Sequence, residues 1–117
     1  MPKTILVIDD SPAIRQQVSL CLTSHGFAVV EAVDGRDALT KIGSAAMAIC
    51  DVNMPGMNGI EFVKEMAQRG STLPIVMLTT EGRPELVAEA KKAGAKGWMV
   101  KPFKPEQLVQ VVTRLAA

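Results

Sequence analysis

Short apolar runs alternate along this chain with stretches in which apolar residues recur every three or four positions. Thr4-Ile-Leu-Val-Ile8 is almost continuously apolar, the pattern of a strand covered on both faces of a parallel sheet. Phe27–Glu31, Ala46–Cys50, Ile75–Leu78 and Gly97–Val100 read as four further strands. Between them lie helical patterns with their own punctuation. Ser11-Pro12 opens a helix carrying Ile14, Val18, Cys21 and Leu22, and Gly26 closes that segment. Asp34-Gly35 turns into a short helix with Ala38, Leu39 and Ile42, and a third helix presents Phe62, Val63 and Met66. Arg83-Pro84 opens a fourth, ended by Gly94, and Pro105–Ala116 forms a fifth with Leu108, Val112 and Leu115 on one side. Alternation of this kind predicts an α/β fold, a parallel sheet with helices on both faces. Five βα units account for residues 1–117 as one domain, with no linker, repeat or low-complexity stretch.

Polar residues stop the predicted strands at chemically telling places. Asp9 and Asp10 follow the first, Asp51 the third, Thr79 the fourth and Lys101 the fifth. Strand carboxyl ends share one edge of a parallel sheet, and ligands bind in the crevice outside it. Three carboxylates brought together there repel unless a cation sits among them. Hard oxygens suit Mg²⁺, which commonly shares its shell with phosphate oxygens. The backbone carbonyl of Asn53, two residues past Asp51, is within reach as a further ligand. Blander readings exist for each residue: Asp9-Asp10 as a helix cap, Lys101 as a solvated surface charge, Thr79 as a strand cap. Asp51 decides between them, because a third acid without a cation only worsens the repulsion. Trp98, the sole tryptophan, reads either as core packing or as a side chain that moves with Thr79.

Composition narrows the partners. The chain is 48% hydrophobic and 21% charged with a formal net charge of +1, which favours neither direct nucleic-acid binding nor a membrane surface. No apolar run approaches the roughly 20 residues of a membrane-spanning helix. Cys21 and Cys50 have no metal-binding spacing, sit on apolar faces, and fit buried thiols in a reducing cytoplasm. Pro102, after Lys101, is a candidate cis peptide.

Ile-Leu-Val-Ile-Asp9-Asp10, Cys-Asp51-Val-Asn-Met-Pro-Gly-Met-Asn-Gly, Met-Leu-Thr79-Thr and Val-Lys101-Pro-Phe together resemble the receiver domains of response regulators. The likeness runs through essentially the whole chain in order and spacing. With no sequence after the fifth helix, it is to a stand-alone, CheY-like receiver. The resemblance implies a doubly wound, flavodoxin-like sheet of strand order 2-1-3-4-5 with five helices. It implies that Asp51 accepts a phosphoryl group from a sensor histidine kinase or phosphotransfer protein, with Asp9, Asp10 and Asp51 serving Mg²⁺. Asp10 would touch the metal directly and Asp9 partly through water. Lys101 would contact the phosphoryl group, Thr79 would register it, and Trp98 stands where the family has its switch aromatic, usually Tyr or Phe. Asn53 and Glu81 match positions that influence the phosphoryl lifetime. Asn58 stands where many members carry Asp, outside the acid cluster, where little effect is expected.

A change in the surface of the fourth helix, fifth strand and fifth helix would then control binding of a downstream target protein. Arg83, Lys91, Lys92, Lys96 and Lys104 lie in or near that surface as either a solvated face or a partner contact. A haloacid-dehalogenase-like phosphatase fits less well, since it wants Asp-x-Asp where this chain has Asp9-Asp10-Ser11. A flavin- or nucleotide-binding module wants a Gly-rich first turn, and here that turn is acidic. A receiver-like interaction module that is never phosphorylated is the remaining alternative.

Overall fold

A computed structural model describes residues 3–54, 56–80 and 82–116. Five strands alternate with five helices: β1 (Thr4–Ile8), α1 (Pro12–Thr23), β2 (Ala28–Ala32), α2 (Gly35–Leu39), β3 (Met47–Cys50), α3 (Gly59–Gln68), β4 (Ile75–Thr79), α4 (Pro84–Ala93), β5 (Gly97–Val100) and α5 (Pro105–Leu115). All strand pairs are parallel and the order is β2-β1-β3-β4-β5, the doubly wound arrangement expected. The two edge strands are the ones with exposed positions: Val30 and Glu31 on β2, Val100 on β5. Every residue of β3 and β4 is buried, as their apolar composition requires.

Alternation along the strands builds two cores. Leu6, Ile8, Ala48, Cys50, Ile75 and Met77 face α2, α3 and α4, where Phe62, Val63, Met66 and Ala90 meet them. Ile5, Val7, Met47, Ile49, Val76 and Leu78 face α1 and α5, where Val18, Leu22, Leu108 and Val112 complete the packing. Each such large side chain contributes about 1.5–3 kcal/mol by leaving water.

Several boundaries move from the sequence expectation, each for a stated contact. The second strand begins at Ala28 because the Phe27 N–H donates to the Leu22 carbonyl at 3.1 Å, closing the end of α1 instead of joining the sheet. It ends at Ala32, which pairs with Ile8. Ala46 lies outside β3, although its N–H still bonds the Thr4 carbonyl at 2.8 Å. Thr79 belongs to β4, paired with Val100. Helix α2 ends at Leu39, and Ile42 packs on the core from the following turn. Ala116 caps α5 and does not extend it. Cys50 is buried as expected, whereas Cys21 is only half-buried. Among the described residues no helix is long and apolar enough to cross a membrane.

Candidate functional site

Hydrogen bonds that continue the sheet ladder carry the chain just past its strands and so fix the polar residues. The Asp51 N–H donates to the Ile8 carbonyl at 2.9 Å, the Asp9 N–H to Ala32 at 3.1 Å, and the Lys101 N–H to Thr79 at 2.8 Å. Side chains anchored this way converge. Asp9, Asp10 and Asp51 each offer a carboxylate oxygen, and these oxygens lie within 4.8 Å of one another. At an effective dielectric of 20, two full charges at that distance repel by about 3 kcal/mol. Lys101 relieves part of this: its Nζ donates to Asp9 Oδ2 at 2.8 Å and stands 3.4 Å from Asp51 Oδ2. The ammonium and both carboxylates are mostly shielded, with side-chain exposures of 11%, 4% and 8%.

The three acids are not equivalent. Asp9 is buried and engaged on both oxygens, since Oδ1 also accepts the Ser11 N–H at 2.9 Å. Among the described residues, Asp51 Oδ1 accepts a single long bond, from the Asn53 N–H at 3.4 Å. Asp10 is exposed. Three hard oxygen donors facing one another with a single ammonium leave the cluster with an excess of negative charge, a donor set that fits Mg²⁺. Below the cluster the Cys50 thiol is fully buried; burial pushes its pKa well above the ordinary value, and the charges of Asp51 and Asp9 push in the same direction.

Thr79 is wholly buried. Trp98 is half-buried and packs against the core beneath α3 and α4. Pairing of Met77 with Trp98 and Thr79 with Val100 puts Thr79 and Trp98 on the same face of the sheet, one strand apart. The Lys101–Pro102 bond is cis. Arg83, Lys91, Lys92, Lys96 and Lys104 are all exposed around α4 and the ends of β5. Glu81 lies outside the described residues.

Three supports of the site went unread in the sequence. Asn58 caps α3: its Oδ1 accepts the Glu61 N–H and its own N–H donates to Glu61 Oε1, both at 2.9 Å. That reciprocal pair was legible as Asn-x-x-Glu before an apolar run. Gly59 leaves no room for a Cβ beside the Asp51 carbonyl group, and its N–H donates to the Val52 carbonyl at 3.0 Å. Arg15 Nη1 donates to the Asp9 carbonyl at 2.7 Å while its Nε bonds Glu31 Oε1 at 3.0 Å. Nothing in the spacing of residues 9, 15 and 31 announces that bridge.

An acid trio beside a lysine, at the carboxyl edge of a five-stranded sheet ordered β2-β1-β3-β4-β5, marks a receiver-type signalling domain. The family model of the response regulator receiver domain matches residues 5–113, and the chain belongs to that family. It is a receiver of CheY type, consistent with two-component signalling. The chemotaxis protein CheY of Thermotoga maritima is 34% identical over 99% of both chains. A CheY homolog of Campylobacter jejuni is 42% identical over 89% of this chain and 85% of its own. Among solved structures, Vibrio cholerae CheY4 superposes with a TM-score of 0.91 at 45% identity, covering 98% of this chain and 99% of that one. The Borrelia burgdorferi CheX–CheY–BeF3–Mg²⁺ complex contains a chain 28% identical, with a TM-score of 0.90 over 97% of this chain and 90% of its own.

Proposed function

We propose that this chain is a phosphorylation-activated switch in which Asp51 accepts a phosphoryl group from a phosphohistidine on a sensor kinase or phosphotransfer protein. The observation that carries the reading is the unequal binding of the three acids. Asp9 is tied down by Lys101 and Ser11, while the Asp51 oxygens are held loosely, with the Asn53 N–H and the Lys101 ammonium each 3.4 Å away. An Asp51 oxygen attacks phosphorus in line; the P–N bond breaks, and its electron pair returns to the imidazole, which takes up a proton. Lys101, 3.4 Å from Asp51, holds a phosphoryl oxygen as it arrives. Mg²⁺ held by Asp10, Asp51 and the Asn53 carbonyl, with Asp9 alongside, would neutralise charge on the phosphoryl oxygens. Water later hydrolyses the acyl phosphate, so the chain serves its own phosphorylation and dephosphorylation and turns over no separate substrate.

The added charge favours the conformation in which the Thr79 hydroxyl donates to the phosphoryl group, a population shift between two states. Thr79 and Trp98 share a sheet face, so a change at Thr79 reaches the α4-β5-α5 surface on which a downstream target protein binds. The nearby neighbours support this reading, since a Borrelia CheY has been captured with BeF3, Mg²⁺ and CheX.

Incubation with acetyl phosphate and Mg²⁺ is expected to add one phosphoryl mass to the native chain and none to Asp51→Asn. An adduct of undiminished yield in that variant would refute the assignment.

A further inference from the structure

Arg15 holds the main chain between two of the acids. Its Nη1 takes the Asp9 carbonyl at 2.7 Å and its Nε takes Glu31 Oε1 at 3.0 Å. Glu31 is itself held, since its Oε2 accepts the Ser19 hydroxyl at 3.1 Å. The guanidinium is thus a strut between α1, β2 and the turn after β1, with a side chain only 14% exposed. The carbonyl it grips belongs to the peptide group joining Asp9 to Asp10. The peptide before it is fixed by the Asp9 N–H on Ala32, and the Asp9 side chain by Ser11 and Lys101. Asp10 is different: it is exposed, and no hydrogen bond to its carboxylate is found among the described residues. The main chain that Arg15 clamps therefore sets the Cα–Cβ direction from which the Asp10 carboxylate starts.

We propose that Arg15 is a positioning residue for the metal site, aiming the Asp10 carboxylate at Asp51 by fixing the Asp9–Asp10 peptide, with Glu31 holding the guanidinium in register. The inference rests on the reading of the acids as a Mg²⁺ site. Charge and geometry predict opposite results, which makes the idea testable. A positive charge near the site repels Mg²⁺, so if charge alone mattered, removing it would tighten binding. Loss of aim weakens binding, and partners behind the ligands of a metal typically account for 10–100-fold in affinity. A lysine keeps the charge but has one nitrogen, which cannot serve Asp9 and Glu31 with the fork of a guanidinium.

The experiment is calorimetric titration of the full chain with MgCl₂ for wild type, Arg15→Lys, Arg15→Met, Glu31→Gln and Asp10→Asn. We expect Arg15→Lys and Arg15→Met to bind about tenfold more weakly, at the low end of that range. Glu31→Gln should move the same way by less. Phosphorylation by acetyl phosphate should need more Mg²⁺ for half-maximal rate in the Arg15 variants yet reach the wild-type rate at saturation, a split that general loosening of the fold would not produce. Wild-type affinity in Arg15→Lys, or tighter binding in Arg15→Met, overturns the positioning role. Should an Arg15 variant fail to fold, unchanged affinity in Glu31→Gln overturns it. Absence of Mg²⁺ binding by the wild type, or no loss in Asp10→Asn, overturns the metal reading and the role of Arg15 with it.

Discussion

Gly59→Ala and Gly35→Ala are the same substitution at the first residue of a helix, and the packing predicts different outcomes. A Cβ on Gly59 overlaps the Asp51 carbonyl oxygen, lies 2.9 Å from the carbonyl carbon and 2.7 Å from Met77 Cε. Ordinary contact begins at 3.4 Å, so even the carbonyl carbon must retreat by 0.5 Å, and the oxygen by more. That carbonyl group cannot swing aside. Asp51 is tied by its N–H to Ile8, and the Gly59 N–H is tied to Val52. Overpacking of this kind costs about 1–3 kcal/mol, and weakening either hydrogen bond adds about 1 kcal/mol. Reduced freedom of the unfolded chain returns about 0.4–1 kcal/mol.

The net loss for Gly59→Ala is about 2 kcal/mol. With a urea slope of about 1–3 kcal/mol/M, the unfolding midpoint should fall by about 1 M. A Cβ on Gly35 instead meets Met57, with Cγ at 2.7 Å and Sδ at 2.9 Å. Met57 can turn its thioether away, whereas its Cβ, 3.0 Å off, moves only with the backbone, so Gly35→Ala should cost about 1 kcal/mol, less than Gly59→Ala. Urea unfolding followed by circular dichroism measures both. Phosphorylation by acetyl phosphate adds a second readout, since a displaced Asp51 should slow it at least about tenfold in Gly59→Ala. Equal stability of the two variants, or a harmless Gly59→Ala, would show that the contact between α3 and the Asp51 carbonyl is not what fixes the acceptor.

Lys101→Met leaves Asp9 without its ammonium in a nearly closed site; in metal-free buffer it should cost about 3 kcal/mol. Its Mg²⁺ affinity should be retained or increased, and a loss as severe as that of Asp10→Asn would contradict separate roles for the two residues. Asn58→Ala removes the α3 cap and should cost about 1 kcal/mol by urea unfolding. Burial raises the pKa of both thiols, so each holds less thiolate at pH 8 than a free cysteine. Iodoacetamide followed by peptide mapping should therefore label Cys21 slowly and Cys50 only on unfolding; comparable labelling of both in the native state would contradict the buried position of Cys50.

The fold was legible because the strands are short, apolar and bounded by turn formers, and because β3 and β4 are covered on both sides. Asp9, Asp10, Asp51, Thr79 and Lys101 were legible for a related reason: each stands where an apolar run stops. What escaped was what holds them. The contact of Gly59 with the Asp51 carbonyl depends on the path of the loop, which leaves no periodic trace. The Arg15–Glu31 strut joins residues whose relation appears only once β2 lies beside β1. The partial exposure of Cys21 was misjudged because helical periodicity marks a side, not how deeply that side is covered.

The sheet works as a wall with a separate filling on either side. Among the described residues, the layer containing α1 and α5 and the layer containing α2, α3 and α4 share no buried apolar side chain, and the strands stand between them. Thr79 and Trp98 both belong to the second layer. Repacking the apolar interior of the first should therefore leave the route from Thr79 to α4 intact, provided that Arg15 on α1 and the outer face of α5 are kept.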